Sequence, residues 1–322
     1  CPAVAGRSLH LLLGALLSLL CALGTAGCST CTQREIAAAH YAPPPSNDWK
    51  VSTPAEQGLD PALVARLYCQ AAKLERLYGL LVVKHGHLVA EGYFNEGAVD
   101  QRALLQSATK SYISALVGIA LAQGCLTSLD QRMMAFFPDL ADRITEPRKQ
   151  QITVRHLLQM RSGYPWEESD GALWERFLAG DWLPLIVETP LVSDPGTEHH
   201  YSNLTSYILA VIVARACNTD LTTFSEEHLF SPLGTTASNE WGYPGTPLED
   251  KDGYVYPALR ATAHSVARLG QLYLDDGKYG GRQIIPADWV RDSLTSYSED
   301  AWISSSCLLY TSDAADDDTI VG

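Results

Sequence analysis

Basic charge is what this sequence has least of: 23 Lys and Arg stand against 37 Asp and Glu, for a formal net charge of −14, and the basic residues gather in no patch. Phosphate backbones are held by concentrated positive charge, so the composition argues against a nucleic-acid partner and leaves acidic solubility as the plain reading. Internal repeats are absent. The apolar stretch from Leu11 to Leu23 is shorter than a permanent bilayer-spanning helix needs. Among Cys31, Cys69, Cys125 and Cys217 there is no CxxC spacing and no histidine at zinc-finger distance. Neither a metal site nor a disulfide framework is indicated, and the last three are expected to be buried free thiols. No cofactor is expected.

Among the 322 residues, 46% are hydrophobic, enough for one substantial core. The chain begins with a basic residue, Arg7, the apolar stretch, and then Gly24, Thr25, Ala26 and Gly27 ahead of Cys28. That is the anatomy of a secretion signal over residues 1–27. A small-residue run ending in cysteine also resembles the bacterial lipobox. This implies lipidation at Cys28 and an exported, periplasmic, membrane-anchored protein. Because residue 1 is Cys1, the true start is expected upstream. Residues 28–50, with Pro43, Pro44 and Pro45, read as an extended tether, and residues 51–300 as the catalytic domain.

Local signals place the elements. Asp60 before Pro61 starts a helix through Leu63, Leu67 and Ala71. Leu80–Lys84 and Leu88–Phe94 read as strands joined at His85, Gly86 and His87; these histidines have no third ligand nearby, so the segment is a hairpin turn. An unusually apolar helix follows from Ser107 to Gln123, ended by Gly124. Further helices are expected over Val154–Met160, Leu204–Ala216, Ser265–Leu274 and Ala287–Ser293. Early strands followed by many helices give an α+β class, an antiparallel sheet flanked by helices.

The chemistry lies at the start of the apolar helix. Ser107, Ala108, Thr109 and Lys110 form S-x-x-K, whose spacing puts hydroxyl and amine on one helix face. A serine hydroxyl becomes nucleophilic only when a neighbour takes its proton. A lysine can do so once burial or nearby charge lowers its pKa, and the positive end of a helix also disfavours the ammonium. The spacing alone is common. A second element, Tyr201-Ser202-Asn203, follows about ninety residues later.

S-x-x-K followed by Y-x-N resembles class C β-lactamases and the related esterases and amidases, within the serine β-lactamase and penicillin-binding-protein superfamily. Ile152-Thr153-Val154-Arg155-His156-Leu157-Leu158 with Ser162-Gly163, Pro195-Gly196-Thr197 and Pro232-Leu233-Gly234 extend the likeness over residues 51–296 as scaffolding segments. The wording around Ser107 and over Gln159–Gly163 is most similar to the 6-aminohexanoate-dimer hydrolase branch. The resemblance implies a β-lactamase/transpeptidase-like α/β sandwich and hydrolysis of a small-molecule amide or ester through an acyl-enzyme at Ser107. Lys110 and Tyr201 would share the proton, with either as base, and Asn203 would position the substrate. A penicillin-binding sensor or D-alanyl peptide receptor that acylates without turnover is the alternative, and a noncatalytic lipoprotein on the same fold a third.

Several near-matches are set aside. Tyr93-Phe94-Asn95 precedes the serine in a strand and is taken as structural. Ser169-Asp170-Gly171 lacks the asparagine of S-D-N, and Glu167, Glu168 and Asp170 read as a loop over the site or, equally, as a solvated loop. The family's K-T-G or H-x-G strand has no counterpart: Lys84-His85-Gly86 comes too early and Lys278-Tyr279-Gly280 sits in a turn. The C-terminal strands are therefore expected to be missing, with residues 301–322 a non-native or disordered tail and the truncated chain inactive.

Overall fold

The computed structural model describes residues 31–45, 48–180, 182–236, 239–242, 253–254 and 257–297, with the backbone of 305–306 and 309–310. The signal segment 1–27, Cys28 and most of the 301–322 tail lie outside the described residues.

In chain order the first elements are α1 (Gln33–Ala37), β1 (Lys50–Val51), α2 (Pro61–Ala71), β2 (Gly79–Lys84), β3 (His87–Tyr93) and β4 (Ala103–Leu104). Next come the long helix α3 (Thr109–Ala122), then α4 (Val154–Leu158), α5 (Gly171–Leu178), α6 (Trp182–Glu188) and α7 (Asn203–Cys217). The described chain continues through α8 (Leu221–Ser225), α9 (Ser231–Leu233), β5 (Asn239–Trp241), β6 (Leu259–Ala261) and α10 (Ala263–Leu274). The hairpin β7 (Lys278–Tyr279) and β8 (Arg282–Gln283), α11 (Ala287–Ser293), and the pair β9 (Ser305–Ser306) and β10 (Leu309–Tyr310) complete it. This is the α+β class that the residue pattern implies.

The local signals act as expected. Asp60 accepts from the Ala62 amide at 2.8 Å and starts α2. Thr153 and His156 form a reciprocal cap on α4. Gly124, at φ 76°, turns the chain after α3 where a Cβ would be strained. One sheet has the order β1-β3-β2, with β2 and β3 an antiparallel hairpin and β1 parallel to β3; a second has the order β4-β6-β5, antiparallel throughout.

Two parallel helices, α3 and α7, form the middle of the main core. Residues 109–120 of α3 and 203–214 of α7 are all buried, so neither helix has a solvent face along those residues. Gly118 lets α11 close over α3: a Cβ there would come within 2.5 Å of the Trp289 ring. A smaller cluster of Val64, Tyr68 and Ala90 seats α2 on the first sheet.

Two expectations are corrected. Cys69, Cys125 and Cys217 are not free thiols. Cys31 is bonded to Cys69, and Cys125 to Cys217, with Cα atoms 6.2 and 4.9 Å apart. The partners are 38 and 92 residues apart in sequence, a pairing that only folding brings about. From Cys31 onward, moreover, the expected extended spacer is docked on the domain. Its α1 is capped by Thr32, the Tyr41 ring packs tilted against Tyr68 with ring centres 5.6 Å apart, and the Glu91 amide donates to the Tyr41 carbonyl at 2.8 Å. Asp48 pairs with Arg268 and, at 2.8 Å, with His264, whose other ring nitrogen lies 2.9 Å from Glu91.

Candidate active site

The turn that carries Ser107 is anchored by backbone pairing. β4 pairs with β6, the Leu105 amide donates to the Leu259 carbonyl at 2.8 Å, and the Leu259 amide donates to Thr109 Oγ1 at 3.1 Å. Between these fixed points Gln106 takes φ 47°, the left-handed region that a side chain resists at a cost of about 1–2 kcal/mol. Ser107 sits in a one-turn 3-10 segment, Gln106–Ala108, two residues before the start of α3, not at the first position of the helix that its S-x-x-K pattern suggested. Nothing in the sequence marks Gln106, because its conformation is imposed by the pairing on either side.

The four residues singled out at Ser107, Lys110, Tyr201 and Asn203 are brought together. Tyr201 Oη is hydrogen-bonded to Ser107 Oγ. Lys110 Nζ donates to Ser107 Oγ at 3.3 Å and to Asn203 Oδ1 at 2.9 Å, and lies 4.7 Å from the centre of the Tyr201 ring. Ser107 with Lys110 and Tyr201 with Asn203 stand at the N-terminal ends of buried helices, while Cys125 and Cys217 join the same helices at their C-terminal ends. Burial pushes the Lys110 pKa down to about 8, and the negative charges of Glu167 and Glu168 hold it from falling further. A neutral amine is thus accessible near physiological pH.

Those two glutamates are the residues that sequence reasoning left undecided. They lie in the turn Glu167–Ser169 against the candidate site, Glu167 buried and Glu168 exposed to solvent. Glu167 is fully buried and accepts from Ser202 Oγ at 2.5 Å and from the Asn203 and Leu204 amides at 2.8 and 3.1 Å. Burial raises its pKa, and these donors at the start of α7 work in the opposite direction. Glu168 Oε1 accepts from Asn203 Nδ2 at 2.8 Å. Asp170 caps α5 through the Ala172 and Leu173 amides, which is the structural role of the Ser169-Asp170-Gly171 near-match. Trp166, half-exposed, stands edge-on to Tyr201 with ring centres 6.3 Å apart.

The scaffolding segments are tied together just ahead of Tyr201. The Gly196 amide donates to Arg161 O at 2.7 Å, His200 to Met160 O at 2.8 Å and Val192 to Gly163 O at 2.8 Å, so residues 160–163 and 192–200 form one stitched strip. Gly163, at φ 90°, has Ser193 O 2.4 Å from where a Cβ would stand, which requires glycine there. The other near-matches are structural: Tyr93 donates to Glu91 at 2.7 Å, and Asn95 Nδ2 donates to the Leu74 and Leu77 carbonyls. Lys84-His85-Gly86 is the β2–β3 turn. Lys278 and Tyr279 form β7, where the Tyr279 ring faces Arg268 at 5.8 Å.

Comparison with known proteins bears on this arrangement. The Beta-lactamase family model matches residues 71–301. A 6-aminohexanoate-dimer hydrolase of Paenarthrobacter ureafaciens is 26% identical over 270 residues, covering 78% of this chain and 66% of the relative. Esterase EstB of Burkholderia gladioli is 28% identical over 208 residues, 56% of this chain and 53% of the relative. The chain therefore spans between half and two thirds of the length of these relatives. Among solved structures, the octameric penicillin-binding protein homologue from Pyrococcus abyssi superposes with a TM-score of 0.57 at 18% identity, over 76% of this chain and 62% of the other.

Proposed function

Since the chain belongs to the beta-lactamase family, we propose that it is a serine hydrolase that cleaves small amides or esters through an acyl-enzyme at Ser107. The observation that carries the reading is the meeting of Ser107 Oγ with Tyr201 Oη and Lys110 Nζ across 94 residues of sequence. In the first step Ser107 Oγ bonds to the substrate carbonyl carbon while its proton leaves to the Tyr201–Lys110 pair. The same proton then goes to the departing amine or alcohol as the carbon–leaving-group bond breaks. Water repeats the sequence on the ester so formed and regenerates Ser107. The relatives named 6-aminohexanoate-dimer hydrolase and Esterase EstB support this substrate range.

Labelling with a fluorophosphonate and with a fluorescent penicillin, alongside nitrophenyl acetate turnover, tests the reading in the full-length protein. Ser107→Ala should abolish both labelling and turnover, and labelling that survives the substitution refutes the nucleophile assignment. Stoichiometric acylation with no turnover would assign the sensor role instead. The proposal includes export and lipid anchoring at Cys28. Its support is the Leu11–Leu23 run ahead of small residues and Cys28, together with two disulfides of the kind that persist in oxidising compartments.

A further inference from the structure

We propose that Glu167 and Glu168 are positioning residues for acyl transfer: Glu167 fixes the N-terminus of α7, and Glu168 orients the Asn203 amide so that its oxygen faces Lys110. The inference rests on the reading of Ser107 as nucleophile and extends it to residues that act on the reacting atoms only through Asn203 and Lys110.

The geometry is a chain of bonds with one consistent polarity. A side-chain amide has a donor end and an acceptor end of nearly equal size, and its neighbours decide which way it points. Asn203 has a carboxylate oxygen 2.8 Å from Nδ2 and an ammonium nitrogen 2.9 Å from Oδ1. Turning the amide over would set its NH2 against the Lys110 donors and its oxygen against the Glu168 carboxylate, losing both bonds. Glu168 thereby fixes the acceptor that anchors Lys110 Nζ, and that nitrogen in turn lies 3.3 Å from Ser107 Oγ. Glu167 acts one layer back. By gathering Ser202 Oγ and the Asn203 and Leu204 amides it sets the rotation of the first turn of α7, and so the direction in which the Asn203 side chain leaves the backbone. The titratable groups facing Lys110 are these two glutamates, from the turn Glu167–Ser169, and Tyr201, from the segment ahead of α7. Removing the Glu168 charge should make the Lys110 ammonium easier to deprotonate.

The test is the second-order rate of fluorophosphonate labelling at Ser107 against pH, in the full-length protein and in two variants. Glu168→Ala removes the acceptor and should slow labelling about tenfold at an unchanged melting temperature, the loss of one charge-assisted hydrogen bond. Glu168→Gln keeps an acceptor oxygen without the charge. It should recover most of that loss while moving the acid limb of the profile to lower pH by about half a unit or more. Wild-type rates and limbs in both variants overturn the proposal, and so does a lower melting temperature with the limb unmoved, which marks a purely structural role. Absence of labelling in the wild type is a separate outcome that refutes the underlying nucleophile reading and the proposal with it.

Discussion

The sharpest consequence of the site concerns the protonation of Lys110. Burial takes its pKa from 10.5 to about 8. At pH 7 the neutral fraction then rises from about three in ten thousand to about one in eleven, a gain of roughly 300-fold in available base. If the neutral amine receives the Ser107 proton, labelling at Ser107 should climb about tenfold per pH unit below pH 8 and level off above it. The sign is fixed by the chemistry, because below the pKa the amine carries its proton and cannot accept another. Lys110→Arg supplies the control: a guanidinium keeps the positive charge but does not deprotonate in this range, so labelling should fall by about two to three orders of magnitude. The assay is the fluorophosphonate labelling rate from pH 5.5 to 9.5, with circular dichroism to show that the variant is folded. A rate that falls above pH 8 would refute the argument by showing that the ammonium is required and that Tyr201 is the base. Wild-type labelling in Lys110→Arg would refute it independently.

Two further predictions concern the covalent framework and the leader. The Cys125–Cys217 bond closes a 92-residue span, for which the chain-entropy relation gives between 4 and 5 kcal/mol at most; losses of native bridges commonly run at about 2–5 kcal/mol. Cys125→Ala with Cys217→Ala should lower the urea midpoint accordingly without reductant, and reductant should lower the wild-type midpoint at least as far, since it opens Cys31–Cys69 as well. Equal midpoints with and without reductant would contradict the pairing. For the leader, Cys28→Ser should move the exported protein from the membrane fraction to the soluble fraction, read by fractionation and fatty-acid labelling, whereas retention in the membrane rejects lipid anchoring at that residue.

The parts of the fold that were legible in the sequence are those with short-range causes. Asp60-Pro61, Thr153 and Gly124 mark helix ends because a cap or a left-handed turn is satisfied within a few residues. The β2–β3 hairpin follows from two apolar runs around His85-Gly86. S-x-x-K announced itself through its spacing, which the 3-10 turn leading into α3 preserves by setting Ser107 beside Lys110, and Tyr201-Ser202-Asn203 was readable as its companion through family likeness.

What the chain could not announce was decided between distant segments. The pairing of Cys31 with Cys69 and of Cys125 with Cys217, the docking of Tyr41 and Asp48, and the left-handed Gln106 each depend on a partner at long range. The glutamates show the distinction most clearly. As a sequence, Glu167-Glu168 is an acidic pair indistinguishable from a solvated loop, and only the approach of α7 makes one a buried anchor and the other the partner of Asn203. The sequence by itself determined the residue types at Ser107, Lys110, Tyr201 and Asn203 and the helical segments at whose N-terminal ends they stand. Tertiary structure alone decided the acidity of Lys110, the orientation of Asn203 and the contact between Ser107 and Tyr201, because burial, hydrogen-bond polarity and distance arise only when α3 and α7 pack together.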